Sequence, residues 1–268
     1  MKFHITEGEN TTKNSYTPIA NNRSVIVFLH GFLGNAHDWD FIVPNFSSKY
    51  SCISIDLPGH GDNIFLNDSS YSIENTIDDI YCLLTNLQVQ NIILIGYSMG
   101  GRVALSFANK YPELISKLIL IATTPGLRTP EERTLRITSD KNIIQKLKYS
   151  YFQEFLDFWY SQKIFGKQIL NDRNMFLRRL QNNKVELIKS LTFAGTGTMS
   201  PLWDNLASLQ FPTLLLCGEL DSKFLQINQE MHSILPNSTL KIISDASHNV
   251  LWDNPVESSN EIINFITS

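Results

Sequence analysis

Cysteine is scarce, with only Cys52, Cys82 and Cys217 in 268 residues. An odd, widely spaced set inside apolar segments excludes a disulfide framework or a clustered metal site, and predicts buried free thiols. Clusters of basic residues are also missing: 22 Lys and Arg stand against 26 Asp and Glu, a formal charge of −4. Nucleic acid and anionic membranes need a concentrated positive field, so neither is expected as a partner. No apolar run approaches the ~20 residues that span a bilayer. The stretch Met1 to Asn14 turns polar at once, without the basic and apolar regions of a secretory signal. Together these absences predict a soluble chain in a reducing, cytoplasmic compartment, with no membrane insertion. Internal repeats and low-complexity tracts are absent too.

What remains is an ordinary globular composition, 43% hydrophobic, 11% aromatic and 18% charged. The length suits one large α/β domain. Short apolar strings recur at Val25–Leu29, Cys52–Asp56, Ile92–Ile95, Leu118–Ala122, Thr213–Cys217 and Leu240–Ile243. They read as parallel strands buried on both faces. Helical patterns lie between several of them, at Ile73–Leu87, Gly101–Tyr111, Phe224–Leu235 and Pro255–Ile266. The alternation predicts a mostly parallel, doubly wound sheet. Phe3 and Ile5, alternating with polar neighbours, predict an antiparallel edge strand. Between Pro125 and Pro201 the strands stop and helical periodicity takes over, so a helical lid is expected after the sixth strand. The division is a core of residues 1–125 and 201–268 with a lid of 126–200. The first lid helix has a T-x-x-E capping box, Thr129 to Glu132, with Pro130 at its first position.

The sharpest motif is Gly96-Tyr97-Ser98-Met99-Gly100-Gly101, a G-x-S-x-G string between a strand pattern and a helix pattern. That context defines a nucleophile elbow with Ser98 at its tip. The fold that carries such elbows orders its partners as serine, acid, histidine. His248, past the last strand, is the histidine best placed; Asp221, past the preceding strand, is the best acid, with Asp245 and the weaker Glu219 as competitors. In His30-Gly31-Phe32, just after Val25–Leu29, the backbone N–H of Phe32 can converge with that of Met99 as an oxyanion hole. Arg102 stands in the first turn of the elbow helix, where the macrodipole disfavours a cation by ~0.3–1 kcal/mol. A nearby anion would offset this, either an internal aspartate or a substrate carboxylate. Arg133 and Arg136 share one lid-helix face, and Glu132 with Arg136 at i, i+4 makes an ordinary surface pair the competing explanation. The aromatics Phe152, Phe155, Phe158, Trp159 and Tyr160 have the spacing of a buried helix face.

With these motifs in place, the chain resembles the α/β-hydrolase superfamily. More narrowly it resembles the MenH family, the 2-succinyl-6-hydroxy-2,4-cyclohexadiene-1-carboxylate synthases. The carrying strings are Phe28-Leu29-His30-Gly31-Phe32, Asp56-Leu57-Pro58-Gly59-His60-Gly61, Gly96-Tyr97-Ser98-Met99-Gly100-Gly101-Arg102, Pro125-Gly126-Leu127 with Glu132-Arg133 and Arg136, Asp157-Phe158-Trp159-Tyr160, Gly218-Glu219 with Asp221-Ser222-Lys223-Phe224, and His248-Asn249. Ser247 stands where the superfamily usually has glycine before the histidine.

The resemblance implies a Ser98, Asp221 and His248 triad, oxyanion donors at Phe32 and Met99, and carboxylate-binding Arg102, Arg136 and Arg179, with Arg178 the alternative to the last. Tyr97 and Trp159 would line the pocket. It also implies a lyase that eliminates pyruvate from 2-succinyl-5-enolpyruvyl-6-hydroxy-3-cyclohexene-1-carboxylate, a polycarboxylate, in menaquinone or phylloquinone biosynthesis. No metal or organic cofactor is called for. The rival functions are an ester or carbon–carbon bond hydrolase and a non-catalytic ligand-binding protein of the same fold, since fold alone does not fix function.

Overall fold

A computed structural model describes residues 1–19, 23–65, 67–165 and 173–268. Eight strands form one sheet: β1 (Lys2–Glu7), β2 (Asn10–Lys13), β3 (Val25–Leu29), β4 (Ser51–Asp56), β5 (Ile92–Tyr97), β6 (Ile115–Ile121), β7 (Thr213–Gly218) and β8 (Ser238–Ile243). Their spatial order is β2-β1-β4-β3-β5-β6-β7-β8. The pairs of β1 with β2 and with β4 are antiparallel, and the other pairs are parallel. The described helices are α1 (Ile73–Asn86), α2 (Met99–Lys110), α3 (Pro130–Tyr149), α4 (Phe152–Tyr160), α5 (Arg173–Leu180), α6 (Lys184–Phe193), α7 (Ser222–Ile234), α8 (Val250–Asp253) and α9 (Pro255–Thr267).

The five residues of β3 are all buried because side chains alternate between two covered faces. Val25, Val27 and Leu29 pack with Ile80, Leu84, Val103 and Phe107 of α1 and α2. Ile26 and Phe28 pack on the opposite side with Trp39, Phe46, Ile262 and Ile266. Each such fully buried side chain contributes about 1.5–3 kcal/mol of transfer free energy. A third cluster, including Leu147, Phe155, Leu156, Met175 and Leu187, holds the helices α3–α6 that follow β6.

Three expectations need correction. The outer strand beside Phe3 and Ile5 is β2, whose four residues are all exposed; β1 lies inside it, between β2 and β4. Strand β8 is not buried on both faces, because it closes the other edge of the sheet. Cys82 is exposed while Cys52 and Cys217 are buried, because the 3.6-residue period of α1 turns Ile80 and Leu83 inward and leaves Cys82 outward. Burial pushes the thiols of Cys52 and Cys217 up to about 12, which keeps them protonated and inert. Among the described residues no helix is long and apolar enough to cross a membrane.

The sheet order reverses at β3: β4 lies on one side of it and β5 on the other. Such a switch point opens a crevice at the carboxyl ends of the strands. Leu29, the last residue of β3, pairs with Gly96 near the end of β5, so the turns that leave these strands run side by side.

Candidate active site

Ser98 takes a left-handed backbone, φ 51° and ψ −107°, between β5 and α2. A non-glycine residue there carries roughly 1–3 kcal/mol of strain, which the surroundings must hold. They do so through three backbone contacts: Ser98 N–H donates to the Ile121 carbonyl at 2.8 Å, and the Ser98 carbonyl accepts from the Thr123 hydroxyl at 2.8 Å and the Arg102 N–H at 3.1 Å. Gly100 is obligatory, since a Cβ there would run into the backbone carbonyls of Leu29 and His30.

Ser98 Oγ lies 3.0 Å from His248 Nε2, and His248 Nδ1 lies 2.7 Å from Asp221 Oδ2. An ionised carboxylate only accepts, so the proton sits on Nδ1 and Nε2 is free to take one from Ser98. Asp221 also caps α7, its other oxygen accepting from the Phe224 N–H. The competing carboxylates go elsewhere: Glu219 accepts from the Asp245 N–H, and both residues are exposed. Ser247 has no positive φ, so this loop does not need the superfamily's glycine. The aromatic rings of Phe224 and Phe165 flank the His248 imidazole at 4.4 and 5.8 Å.

Met99 opens α2, so its N–H is one of the helix's orphan donors. Among the described residues neither it nor the Phe32 N–H has a hydrogen-bond partner, and both residues line one cavity with Ser98. Two buried imidazoles brace the turns below. His30 Nε2 accepts from the Leu57 N–H at 2.9 Å, and His60 Nε2 accepts from the Leu33 N–H at 3.1 Å. Burial lowers both imidazoles and holds them neutral, as acceptors must be.

Tyr97 and Trp159 line the same cavity, and so do Arg102, Arg136 and Arg179. Among the described residues no aspartate pairs with Arg102. It is buried, and its Nη1 donates at 2.7 Å to the carbonyl of Ala194, the C-cap of α6. The negative end of that helix therefore meets a cation stranded at the positive end of α2. Burial, with Arg136 nearby, still pulls its pKa down to about 9. Arg136 does not pair with Glu132, whose carboxylate is spent on the Thr129 N–H in the capping box. Its partner is Asp140, one turn onward, at 2.8 Å. Arg179 faces the cavity, whereas Arg178 lies 5.7 Å from the Trp252 ring.

The guanidinium of Arg179 is already engaged. Nη1 and Nη2 each donate at 2.7 Å to Asp38, and Nε donates to Tyr160 at 3.1 Å. Burial opposes its charge, but Asp38 and Tyr160 together more than offset that and raise its pKa. Arg179 is thus a neutralised cation that keeps one N–H on each terminal nitrogen for another acceptor. Asp38, Asp140 and Lys223 were the residues missed by sequence reasoning. Asp140 had a readable signal in its i, i+4 spacing from Arg136, and Lys223 stands in the Asp221-Ser222-Lys223-Phe224 string without having been given a role there.

Elbow, triad geometry and switch-point crevice define an α/β-hydrolase-fold protein, and residues 24–255 match the family described as alpha/beta hydrolase fold. The putative 2-succinyl-6-hydroxy-2,4-cyclohexadiene-1-carboxylate synthase of Bacillus subtilis is 38% identical, covering 92% of each chain. The synthase of that name from Escherichia coli O1:K1 is 31% identical over 86% of this chain and 88% of its own. The solved structure of MenH from S. aureus superposes with a TM-score of 0.90 at 31% identity, covering 100% of this chain and 98% of that one. The chain belongs to the 2-succinyl-6-hydroxy-2,4-cyclohexadiene-1-carboxylate synthase family.

Proposed function

We propose that this protein is a carbon–oxygen lyase that releases pyruvate from 2-succinyl-5-enolpyruvyl-6-hydroxy-3-cyclohexene-1-carboxylate to give 2-succinyl-6-hydroxy-2,4-cyclohexadiene-1-carboxylate in menaquinone or phylloquinone biosynthesis. The observation that carries the reading is the pairing of a Ser98–His248–Asp221 relay with cations around one cavity. Ser98, deprotonated by His248, takes the proton conjugated to the succinyl ketone. The Phe32 and Met99 N–H groups receive the charge that grows on the ketone oxygen. The ring becomes a diene as the C–O bond to the enolpyruvyl group breaks; that group leaves as the enolate of pyruvate and becomes pyruvate by taking up the proton that His248 holds, which restores the neutral imidazole. Asp221 holds the imidazole in its working tautomer.

Arg102, Arg136 and Arg179 bind substrate carboxylates, the last through the N–H groups that Asp38 leaves free. Tyr97 and Trp159 shape the cavity wall. Residues 126–200 act as a lid on the core of 1–125 and 201–268, and the compartment is the cytoplasm. The test is to supply the enolpyruvyl substrate and follow pyruvate and diene together. Equal amounts of both support the lyase; no pyruvate, with efficient cleavage of simple esters, makes the protein a hydrolase.

A further inference from the structure

Among the described residues the cavity's charges do not balance. Of the four described cations that line it, Arg179 is matched by Asp38 and Arg136 by Asp140. Arg102 and Lys223 make no ion pair among the described residues. Asp140 and Asp221 only lend them a distant field. Both stand in the first turn of a helix, α2 for Arg102 and α7 for Lys223, where the helix dipole opposes a cation. Arg102 has the C-terminal carbonyl of α6 for compensation; Lys223 has no such contact among the described residues.

Lys223 follows Asp221 by two residues, and its Nζ sits 5.5 Å from the Phe224 ring, which in turn packs on His248. It is an exposed residue at the cavity rim, whereas Arg102 is buried. Partial burial of the ammonium, then the charge of Arg136, lower its pKa, against the opposing charge of Asp221. An anion bound between them would relieve that repulsion.

We infer that Lys223 is a substrate-binding residue, the rim cation for one of the two carboxylates that the product retains, with Arg102 the deeper cation. Two uncompensated positive charges match the ring carboxylate and the succinyl carboxylate of a dianion. The paired arginines supply oriented N–H groups without adding net charge. This inference rests on the lyase reading for the identity of the dianion.

The experiment titrates wild type, Lys223→Met and Lys223→Arg with 2-succinylbenzoate, a stable aromatic dicarboxylate carrying the same two acids, at low and high salt. A lost charge-assisted contact should weaken binding about tenfold in Lys223→Met at low salt. Lys223→Arg should stay within about threefold of wild type, because the rim position asks for charge more than for a particular fork. The diamide of the probe should bind wild type and Lys223→Met equally. With the enolpyruvyl substrate, KM should rise about as much as the probe's Kd while kcat holds within about twofold, the sign of lost uniform binding. Equal probe affinity in wild type and Lys223→Met, or no binding of the probe by wild type, would overturn the inference. Failure of wild type to release pyruvate would overturn the lyase reading alone, because the probe titration reads Lys223 without turnover.

Discussion

Arg179 of α5 reaches across from the helical segment to Asp38 in the turn after β3, closing two parallel N–H···O bonds of 2.7 Å. Both side chains are largely shielded, 4% and 13% exposed. A buried pair of this kind contributes little relative to well-packed apolar residues, yet losing one partner strands a charge. Asp38→Asn should therefore destabilise the fold by about 3–5 kcal/mol, and Arg179→Met by a similar amount. The double variant should recover much of the loss. Chemical denaturation of the three proteins measures this coupling, and strictly additive losses would show that the pair is not an energetic unit.

The relay predicts a second pattern. Ser98→Ala, His248→Ala and Asp221→Asn should each reduce turnover by on the order of 10²-fold or more with the fold retained, and their effects should not multiply. Near wild-type pyruvate release from Ser98→Ala would remove Ser98 from the chemistry.

Most of the fold was legible because its central strands are buried on both faces and so print as unbroken apolar strings, Val25–Leu29 above all. The edges were harder. The four residues Asn10–Lys13 of β2 are wholly polar and become a strand only by pairing with β1, and in β8 only Ile243 is fully buried. In the site, Ser98, Asp221 and His248 could be placed because each follows a recognisable strand. Asp38 could not, since its bond to Arg179 spans 141 positions and nothing local marks it. The partner of Arg136 was ambiguous in sequence because Glu132 and Asp140 are both one turn away. The capping box decides it by occupying Glu132.

Arg102 and Arg136 give the third prediction. Arg102→Lys keeps a charge but cannot hold both the Ala194 carbonyl and a carboxylate with one planar fork, so kcat/KM should fall by about tenfold or more. Arg136→Ala should also lower kcat/KM, and it frees Asp140 to pair with Arg102. Steady-state kinetics on both variants decide the matter; unchanged values for Arg136→Ala would mean that Asp140 is its whole function.

A fourth prediction concerns acid. His60 is neutral and buried in the fold, its pKa well below the ordinary value of 6.5 because burial opposes the charged ring. The unfolded chain binds the proton first, so the stabilising contribution is complete above pH 6.5 and is lost as pH falls from there towards the folded value. His30 acts in the same sense. Tm should thus decline below pH 6.5. His60→Gln keeps an acceptor for the Leu33 N–H but does not titrate, so its Tm should start lower and fall less steeply. An equal slope in the two proteins would assign the acid sensitivity to other groups.

The reaction class itself is open to a kinetic test that does not depend on any substitution. A serine hydrolase works through an acyl intermediate, so it should give a burst with activated esters and leave an acyl group on Ser98. The elimination proposed here asks Ser98 only to carry a proton, while the cations hold the substrate with its acidic C–H towards Oγ. Deuterium at that carbon should slow turnover when proton transfer limits the rate, and mass spectrometry of the quenched enzyme should find Ser98 unmodified. The two mechanisms share every atom of the relay and differ in whether a bond forms to Oγ, so trapped acyl-enzyme with the enolpyruvyl substrate would refute proton abstraction even if pyruvate were released.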